Sequence, residues 1–350
     1  MVQRPGPFPW GRVITGLLAG ESLTEEDAAA AMVEVMEGAA TPAQIAGFVI
    51  ALRAKGETTD EIVGLVKTMR KYSAPVRVTG DLLDTCGTGG DRAGTFNVST
   101  AAAIVCAAAG ARVAKHGNRA ASSRAGSADV LETLGVTIDL APAGVERCIE
   151  EVGIGFCFAP IFHPAMRHAA TPRRELGVAT IFNFLGPLTN PAGATLQALG
   201  VSDPKMIDKM VETLARLGSK RVIAFRGRDG LDELSTSGPS DVVELDASGE
   251  VKRWVIDPTE LGLRRAERSE VAGGSSEDNA AIIRAVFEGN TGAPRDIVIL
   301  NAAAGLVAAG ISPDMEAGLT KAGEAIDSGG ATTTLEGLIE VSGSAGDRGE

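Results

Sequence analysis

The sequence predicts an α/β protein with two parts: a small N-terminal α-helical domain and a larger α/β domain with a mostly parallel central sheet. Three observations carry that prediction. The first 75 or so residues show helical spacing and no strand pattern. From Leu82 onward, short apolar runs alternate with helical runs. A proline-punctuated stretch, Pro160 to Pro191, interrupts the alternation once.

Each element has a local reason. Trp10, Val13, Ile14, Leu17 and Leu18 recur at helical spacing. Thr24 precedes three acids that suit the first turn of a second helix. Thr41, Pro42 and Gln44 form a capping-box start for a third, which Gly56 ends. Thr58 and Glu61 repeat the box for a fourth, and four helices with short connections make a small bundle. Beyond Pro75 the predicted strands are Leu82–Thr85, Arg112–Lys115, Val136–Leu140, Ile154–Ala159, Leu196–Val201 and Arg221–Phe225. Val242–Leu245 and Val251–Ile256 read as a hairpin. The intervening helices are Ser99–Ala109, Ser127–Leu134, Pro142–Gly153 and Pro204–Leu217. Four more follow near Asn279–Phe287, Arg295–Ala309, Leu319–Asp327 and Thr333–Val341, with a frayed tail from Gly343.

Composition narrows the function. The chain has 350 residues, 44% of them hydrophobic and 22% charged, which suits two domains with a substantial core and excludes a disordered chain. Its 44 glycines follow no G-X-Y period, which excludes collagen. A formal net charge of -12 argues against a nucleic-acid partner, and at first sight against anionic substrates. No run reaches the ~18–20 apolar residues of a membrane span. Met1 to Trp10 lack the apolar stretch of a signal peptide, so a cytoplasmic location without membrane partners is expected. Cys86, Cys106, Cys148 and Cys157 form no C-x-x-C and match no zinc spacing, so they read as reduced, buried thiols.

Five segments carry chemistry. Asp84-Thr85-Cys86-Gly87-Thr88-Gly89-Gly90-Asp91 lies between a strand and a helical run, where the glycines let backbone N–H groups form an anion-binding nest. It is neither a P-loop nor a dinucleotide fingerprint, and an ordinary tight turn is the alternative. Asn97-Val98-Ser99-Thr100 can cap the next helix, donate to phosphate or offer hydroxyl oxygens to magnesium. Lys115-His116-Gly117-Asn118-Arg119 ends a strand, on the side where open α/β sheets bind ligands. Asp229-Gly230-Leu231-Asp232-Glu233 can hold a hard cation, or be a solvated turn. Composition reads the proline-rich span as a structured linker, in which an Arg of the Arg173-Arg174 pair can also clamp a carboxylate.

Taken in order, the segments GTGGD, NVST, KHGNRA, GSADVLETLG, FAPIFHPAMRHA, FNFLGPLTNPA and DGLDELS resemble the anthranilate phosphoribosyltransferase family over nearly the whole chain. Pyrimidine nucleoside phosphorylases share the fold but lack the HPA and GPLTNP signatures. A nucleoside phosphorylase and a catalytically silent nucleic-acid-binding relative are the alternatives. The resemblance implies Mg²⁺-dependent transfer of a phosphoribosyl group from phosphoribosyl pyrophosphate to anthranilate, in a cleft between the domains. It implies a helical domain of residues 1–75 completed by an insertion at 163–190. The α/β domain is then 76–162 with 191–345, and 346–350 a flexible tail. Hinges near Tyr72–Arg77 and His163–Ala192 and a homodimer through the helical domains follow from the same resemblance.

Site roles are likewise implied residue by residue. Gly87, Thr88, Gly89, Gly90, Asp91, Thr95, Asn97, Ser99, Thr100, Lys115 and Ser127 would bind phosphoribosyl pyrophosphate. Gly87, His116, Asn118, Arg173 and Pro187 would bind anthranilate, with Arg173 facing its carboxylate. Ser99, Asp232 and Glu233 would hold two Mg²⁺ ions. Three positions depart from the family pattern: Arg124 for Lys, Ala179 for Arg, and Pro172 for Val before Arg173. The charge count is then reconciled locally, because Lys115, Arg119, Arg124, Arg173 and Arg174 fall in the site segments.

Overall fold

A computed structural model describes residues 7–120 and 124–350. The bundle helices are α1 (Trp10–Leu18), α2 (Glu25–Met36), α3 (Pro42–Lys55) and α4 (Thr59–Lys71). Thr24, Thr41 and Thr58 each accept an N–H from the third helical residue, and the last two close complete capping boxes.

The α/β part opens with β1 (Leu83–Gly87), α5 (Val98–Ala108), β2 (Val113–Gly117), α6 (Ser127–Leu134), α7 (Pro142–Val152) and β3 (Ile154–Phe158). The proline-rich span folds as short helices: α8 (Ala159–Phe162), α9 (Arg167–Leu176) and α10 (Phe182–Leu185). Then come β4 (Leu196–Gly200), α11 (Ile207–Arg216), β5 (Arg221–Gly227), β6 (Ser240–Leu245) and β7 (Val251–Ile256). The chain closes with α12 (Ser276–Phe287), α13 (Ala293–Ala308), α14 (Met315–Asp327) and α15 (Gly330–Asp347).

One seven-stranded sheet has the order β3-β2-β1-β4-β5-β6-β7. Strands β1 to β5 pair in parallel and β6 and β7 antiparallel, the latter forming the expected hairpin. The chain winds outward from β1 through β2 to β3, then returns to β4 on the other side of β1. The reversal opens a crevice at the C-terminal ends of β1 and β4, where doubly wound sheets bind ligands.

The strand period of two divides the core. Ala198, Ile223 and Phe225 face one cluster, with α5 and α13. Leu199, Val222 and Ala224 face the other, which runs on into Trp10, Phe48, Leu52 and Leu65 of the bundle. Ala169, Ile181, Phe182, Phe184 and Leu188 of the proline-rich span join this second cluster. The two chain crossings are stitched together: Ala74 N–H donates to the Phe162 carbonyl at 2.9 Å, and Val76 N–H to that of Pro191 at 3.1 Å.

Two expectations are corrected. Val136–Leu140 is not a strand. Its alternating burial is real, but Thr137 N–H goes to Ser342 Oγ of α15 at 3.1 Å rather than to a strand. Period-two burial reports a half-buried extended segment, whatever covers it. The tail at 346–350 is not free either. Helix α15 continues to Asp347, and the Glu350 carbonyl accepts Ala141 N–H at 3.0 Å. Among the described residues no helix is long and apolar enough to cross a membrane.

Candidate active site

The crevice at the switch point is built by close backbone approach. A side chain on Gly200 would collide with the backbone of Asp232, and one on Gly87 with the Asp232 carboxylate. Both strands therefore end in glycine, which lets the Leu231–Leu234 segment lie across them. The following loop uses left-handed backbone at Gly89 (φ +66°) and Gly90 (φ +81°), and Arg92 adopts it too (φ +56°). Asp91 lies within the field of Asp232 and its Oδ1 accepts Ala93 N–H at 3.1 Å. Thr95 bridges to Ala272, which closes the loop against the segment before α12.

The carboxylates meet the backbone donors directly. Asp232 Oδ2 accepts Gly89 N–H at 2.6 Å, and Glu233 Oε1 accepts Ser99 N–H at 3.2 Å at the start of α5. Two acids thus occupy the places where an anionic substrate would meet the nest and the helix N-terminus. Burial and the charge of Asp91 raise the Asp232 pKa to about 7. Burial and Asp232 push Glu233 well above the usual carboxylate range, against the pull of Lys115.

Lys115 is 2% exposed and donates inward, to the Thr85 carbonyl at 2.6 Å. Burial lowers its pKa, while Asp84 and Glu233 oppose that shift. It acts on the loop as a buried counter-charge rather than an open side chain. Asn97 accepts Asn279 Nδ2–H at 2.9 Å and donates to the Ala125 carbonyl at 3.2 Å. The Thr100 hydroxyl is buried without a hydrogen-bond partner among the described residues. Ser127 packs on Gly117 and donates to the Asn118 carbonyl at 3.3 Å.

Next to the glycine loop lies a cavity of about 450 Å³. Gly87, Thr88, His116, Asn118, Arg173 and Pro187 line it, so every residue expected at the aromatic end is brought together there. The His116 ring is 5.1 Å from that of His163, and its Nδ1 bonds the Gly186 carbonyl at 3.1 Å. Both Nε2 atoms are buried without a partner among the described residues. Burial lowers the pKa of His116 to about 3 and of His163 to about 4, so both rings are neutral at neutral pH. Arg173 lies 5.4 Å from the Phe182 ring centre and makes no ion pair with a carboxylate among the described residues. Pro172 is buried inside α9, and Arg173 after it still reaches the cavity.

The other expected cations do not gather here. Arg119 reaches the rim, but its guanidinium is tied to Asp129 at 2.9 Å and Glu132 at 2.8 Å. Arg124 and Arg174 are exposed, as is Ala179. Several polar anchors have no role assigned from sequence. Asp84, fully buried, accepts His116 N–H at 3.1 Å and Asn190 Nδ2–H at 2.8 Å. Gln197 donates to the Pro187 carbonyl at 2.7 Å. Asn301 of α13 clamps both backbone groups of Leu234, at 2.9 and 3.0 Å, and so fixes the peptide beside Glu233. A polar residue inside an otherwise apolar helix was the one signal for Asn301.

Comparison with known proteins settles the family. Residues 79–332 match the model of the glycosyl transferase family a/b domain, and residues 12–73 that of its helical bundle domain. An anthranilate phosphoribosyltransferase of Roseiflexus castenholzii is 54% identical over 330 residues, which cover 94% of this chain and 97% of that protein. The chain belongs to the anthranilate phosphoribosyltransferase family. It is an enzyme of the glycosyltransferase class. The crystal structure of the anthranilate phosphoribosyltransferase of Thermus thermophilus superposes with a TM-score of 0.88 at 46% identity, covering 94% of this chain and 99% of that one. The Saccharomyces cerevisiae anthranilate phosphoribosyltransferase, in complex with PRPP and Mg, matches with a TM-score of 0.87 at 28% identity, covering 97% and 99%.

Proposed function

We propose that this chain transfers the 5-phosphoribosyl group from phosphoribosyl pyrophosphate to the amine of anthranilate, releasing pyrophosphate. In the cell this is the second step of tryptophan synthesis from chorismate. One observation carries the reading: a backbone-donor loop and a buried carboxylate pair adjoin a cavity whose far side presents a guanidinium without a carboxylate partner among the described residues. Family membership supports the same reaction.

The roles follow from the chemistry. Gly87 to Asp91 cradle the pyrophosphate and ribose, and Asn97, Ser99 and Thr100 hold phosphate oxygens at the start of α5. Lys115 adds its charge from beneath. Arg173 pairs with the anthranilate carboxylate, while Asn118, His116 and Pro187 hold the ring. Displacement at C1 passes through an oxocarbenium-like state with inversion. The aromatic amine is already a neutral nucleophile, so alignment with C1 is the main demand. The unprotonated His116 and His163 rings keep this end free of competing positive charge.

The residues present fit Mg²⁺. Among the described residues no three His, Cys, Asp or Glu side chains converge into a ready metal cage. Mg²⁺ needs none, since it takes one or two carboxylates and fills its shell from substrate phosphates and water. Asp232, Glu233 and the Ser99 hydroxyl are hard oxygen donors, and two enclosed acids with raised pKa values call for a cation. Two ions would be held there, and when bound they supply charge neutralisation for the leaving pyrophosphate. A homodimer through the bundle is consistent with Leu18 (71% exposed) and Ile50 (38%) on the neighbouring helices α1 and α3.

The test is the loss of anthranilate fluorescence on adding phosphoribosyl pyrophosphate and Mg²⁺. Phosphate-dependent release of base from thymidine or uridine, with anthranilate untouched, would replace this reading by a nucleoside phosphorylase.

A further inference from the structure

The loop after β4 belongs to none of the segments given a role above, yet it grips the glycine loop. Ser202 N–H donates to Thr88 Oγ1 at 3.0 Å, and Ser202 Oγ donates to the Gly89 carbonyl at 2.8 Å. Thr88 N–H donates to the Gly200 carbonyl at 2.9 Å. Arg226 Nε holds the Ser202 carbonyl at 3.0 Å. The next residue, Asp203, is bound by the Arg53 guanidinium, which comes from α3 of the bundle. Arg53 also meets Glu57 at 3.3 Å and lies 5.2 Å from the Phe184 ring centre, in the segment that walls the cavity.

The peptide geometry gives this grip a consequence. The carbonyl of Gly89 and the N–H of Gly90 share one rigid plane and point in opposite directions. Holding that carbonyl therefore fixes the direction of the Gly90 N–H, opposite to Ser202. Glycines at φ +66° and +81° carry no side chain to set this orientation themselves. It comes from two hydroxyls: Thr88 Oγ1 donates to the Gly89 carbonyl at 3.3 Å and Ser202 Oγ at 2.8 Å, the shorter of the two, while Ser202 N–H fixes the Thr88 hydroxyl.

We propose that Ser202 is a positioning residue for phosphoribosyl pyrophosphate, and that the Arg53–Asp203 pair holds it in register with the helical bundle. The proposal rests on the reading of the glycine loop as the pyrophosphate cradle. Arg53 then links the two substrates, since it binds the loop that orients one and packs on Phe184, the chain neighbour of Asn183 in the cavity lining.

The experiment compares Ser202→Ala, Ser202→Thr, Arg53→Gln and the double variant Ser202→Ala/Arg53→Gln with the wild type. Ser202→Ala is expected to raise the KM for phosphoribosyl pyrophosphate about tenfold, one hydrogen bond's worth. The KM for anthranilate and the melting temperature stay near wild type, and Ser202→Thr restores binding. Calorimetric titration with phosphoribosyl pyrophosphate and Mg²⁺ should show the same loss of affinity. Arg53→Gln should give a smaller rise, and the double variant no more than Ser202→Ala alone, because both act through one contact. Equal rises in both KM values, or additive effects in the double variant, would overturn the proposal. An active wild type with a Ser202→Ala variant of unchanged kinetics sinks this proposal only. A wild type that leaves anthranilate unconsumed sinks the functional reading beneath it.

Discussion

At one end of the site two carboxylates, Asp232 and Glu233, are enclosed beside a third, Asp91, with the inward-turned Lys115 as the cation that opposes their charge. At the other end two histidines are buried neutral, and two guanidiniums of the cavity lining, Arg173 and the exposed Arg167, meet no acid among the described residues. In the first region burial and mutual repulsion hold the acids back from ionising until a cation arrives, and in the second a positive charge has no acid beside it among the described residues. Each is incomplete in a way that names what it binds: a cation with its polyphosphate, and a small aromatic carboxylate. The net charge of -12 says nothing of this, because enclosed local fields outweigh the distant sum.

The contrast can be broken most forcefully at the carboxylate end. Asp232→Asn with Glu233→Gln should cut Mg²⁺-dependent turnover about a thousandfold, as loss of charge stabilisation at a leaving group does. The metal-free melting temperature should hold or rise, because repulsion between enclosed acids is removed. Steady-state rates and calorimetry check both, and retained activity would sink the metal assignment. Arg173→Ala tests the opposite end. It should raise the KM for anthranilate about thirtyfold, the cost of losing one partner of an enclosed charge pair. The KM for phosphoribosyl pyrophosphate should stay within about twofold of wild type. Equal effects on both substrates would erase the contrast.

The smallest effect concerns pH. Burial holds His116 near 3 and His163 near 4, below the ordinary 6.5. Between those values the unfolded chain binds more protons than the fold. The stability is therefore fully present above about pH 6.5, is lost progressively as pH falls from there, and the loss levels off below about 4 for His163 and about 3 for His116. Denaturant unfolding of His163→Gln should show about 2 kcal/mol less acid destabilisation between pH 7 and 4.5 than the wild type. An identical acid response would mean that His163 is open to water.

Much of this was legible in local pattern. Thr41 and Thr58 announce their helices because a capping box is closed within four residues. The GTGGD run announces a loop that needs left-handed backbone, and Gly89 and Gly90 adopt it. The strand expected at Val136–Leu140 failed because alternation records burial, and α15, some 200 residues later, supplies the cover. Segment position alone makes Arg119 a site cation. Its partners Asp129 and Glu132 lie on α6, 10 and 13 residues further along the chain, and only the fold brings them back to Arg119.

By itself the sequence determined the element order, the caps, the glycine loop and which residue types supply the chemistry, since those depend on neighbours within a few positions. The tertiary structure alone decided which of them meet. Gly87, Gly200 and Asp232 come together because the strand order reverses between β1 and β4. Asn301 reaches Leu234 across 67 residues, and Arg53 reaches Asp203 across 150. Such contacts follow from how the sheet is wound and how the bundle packs on it, and no local spacing encodes either.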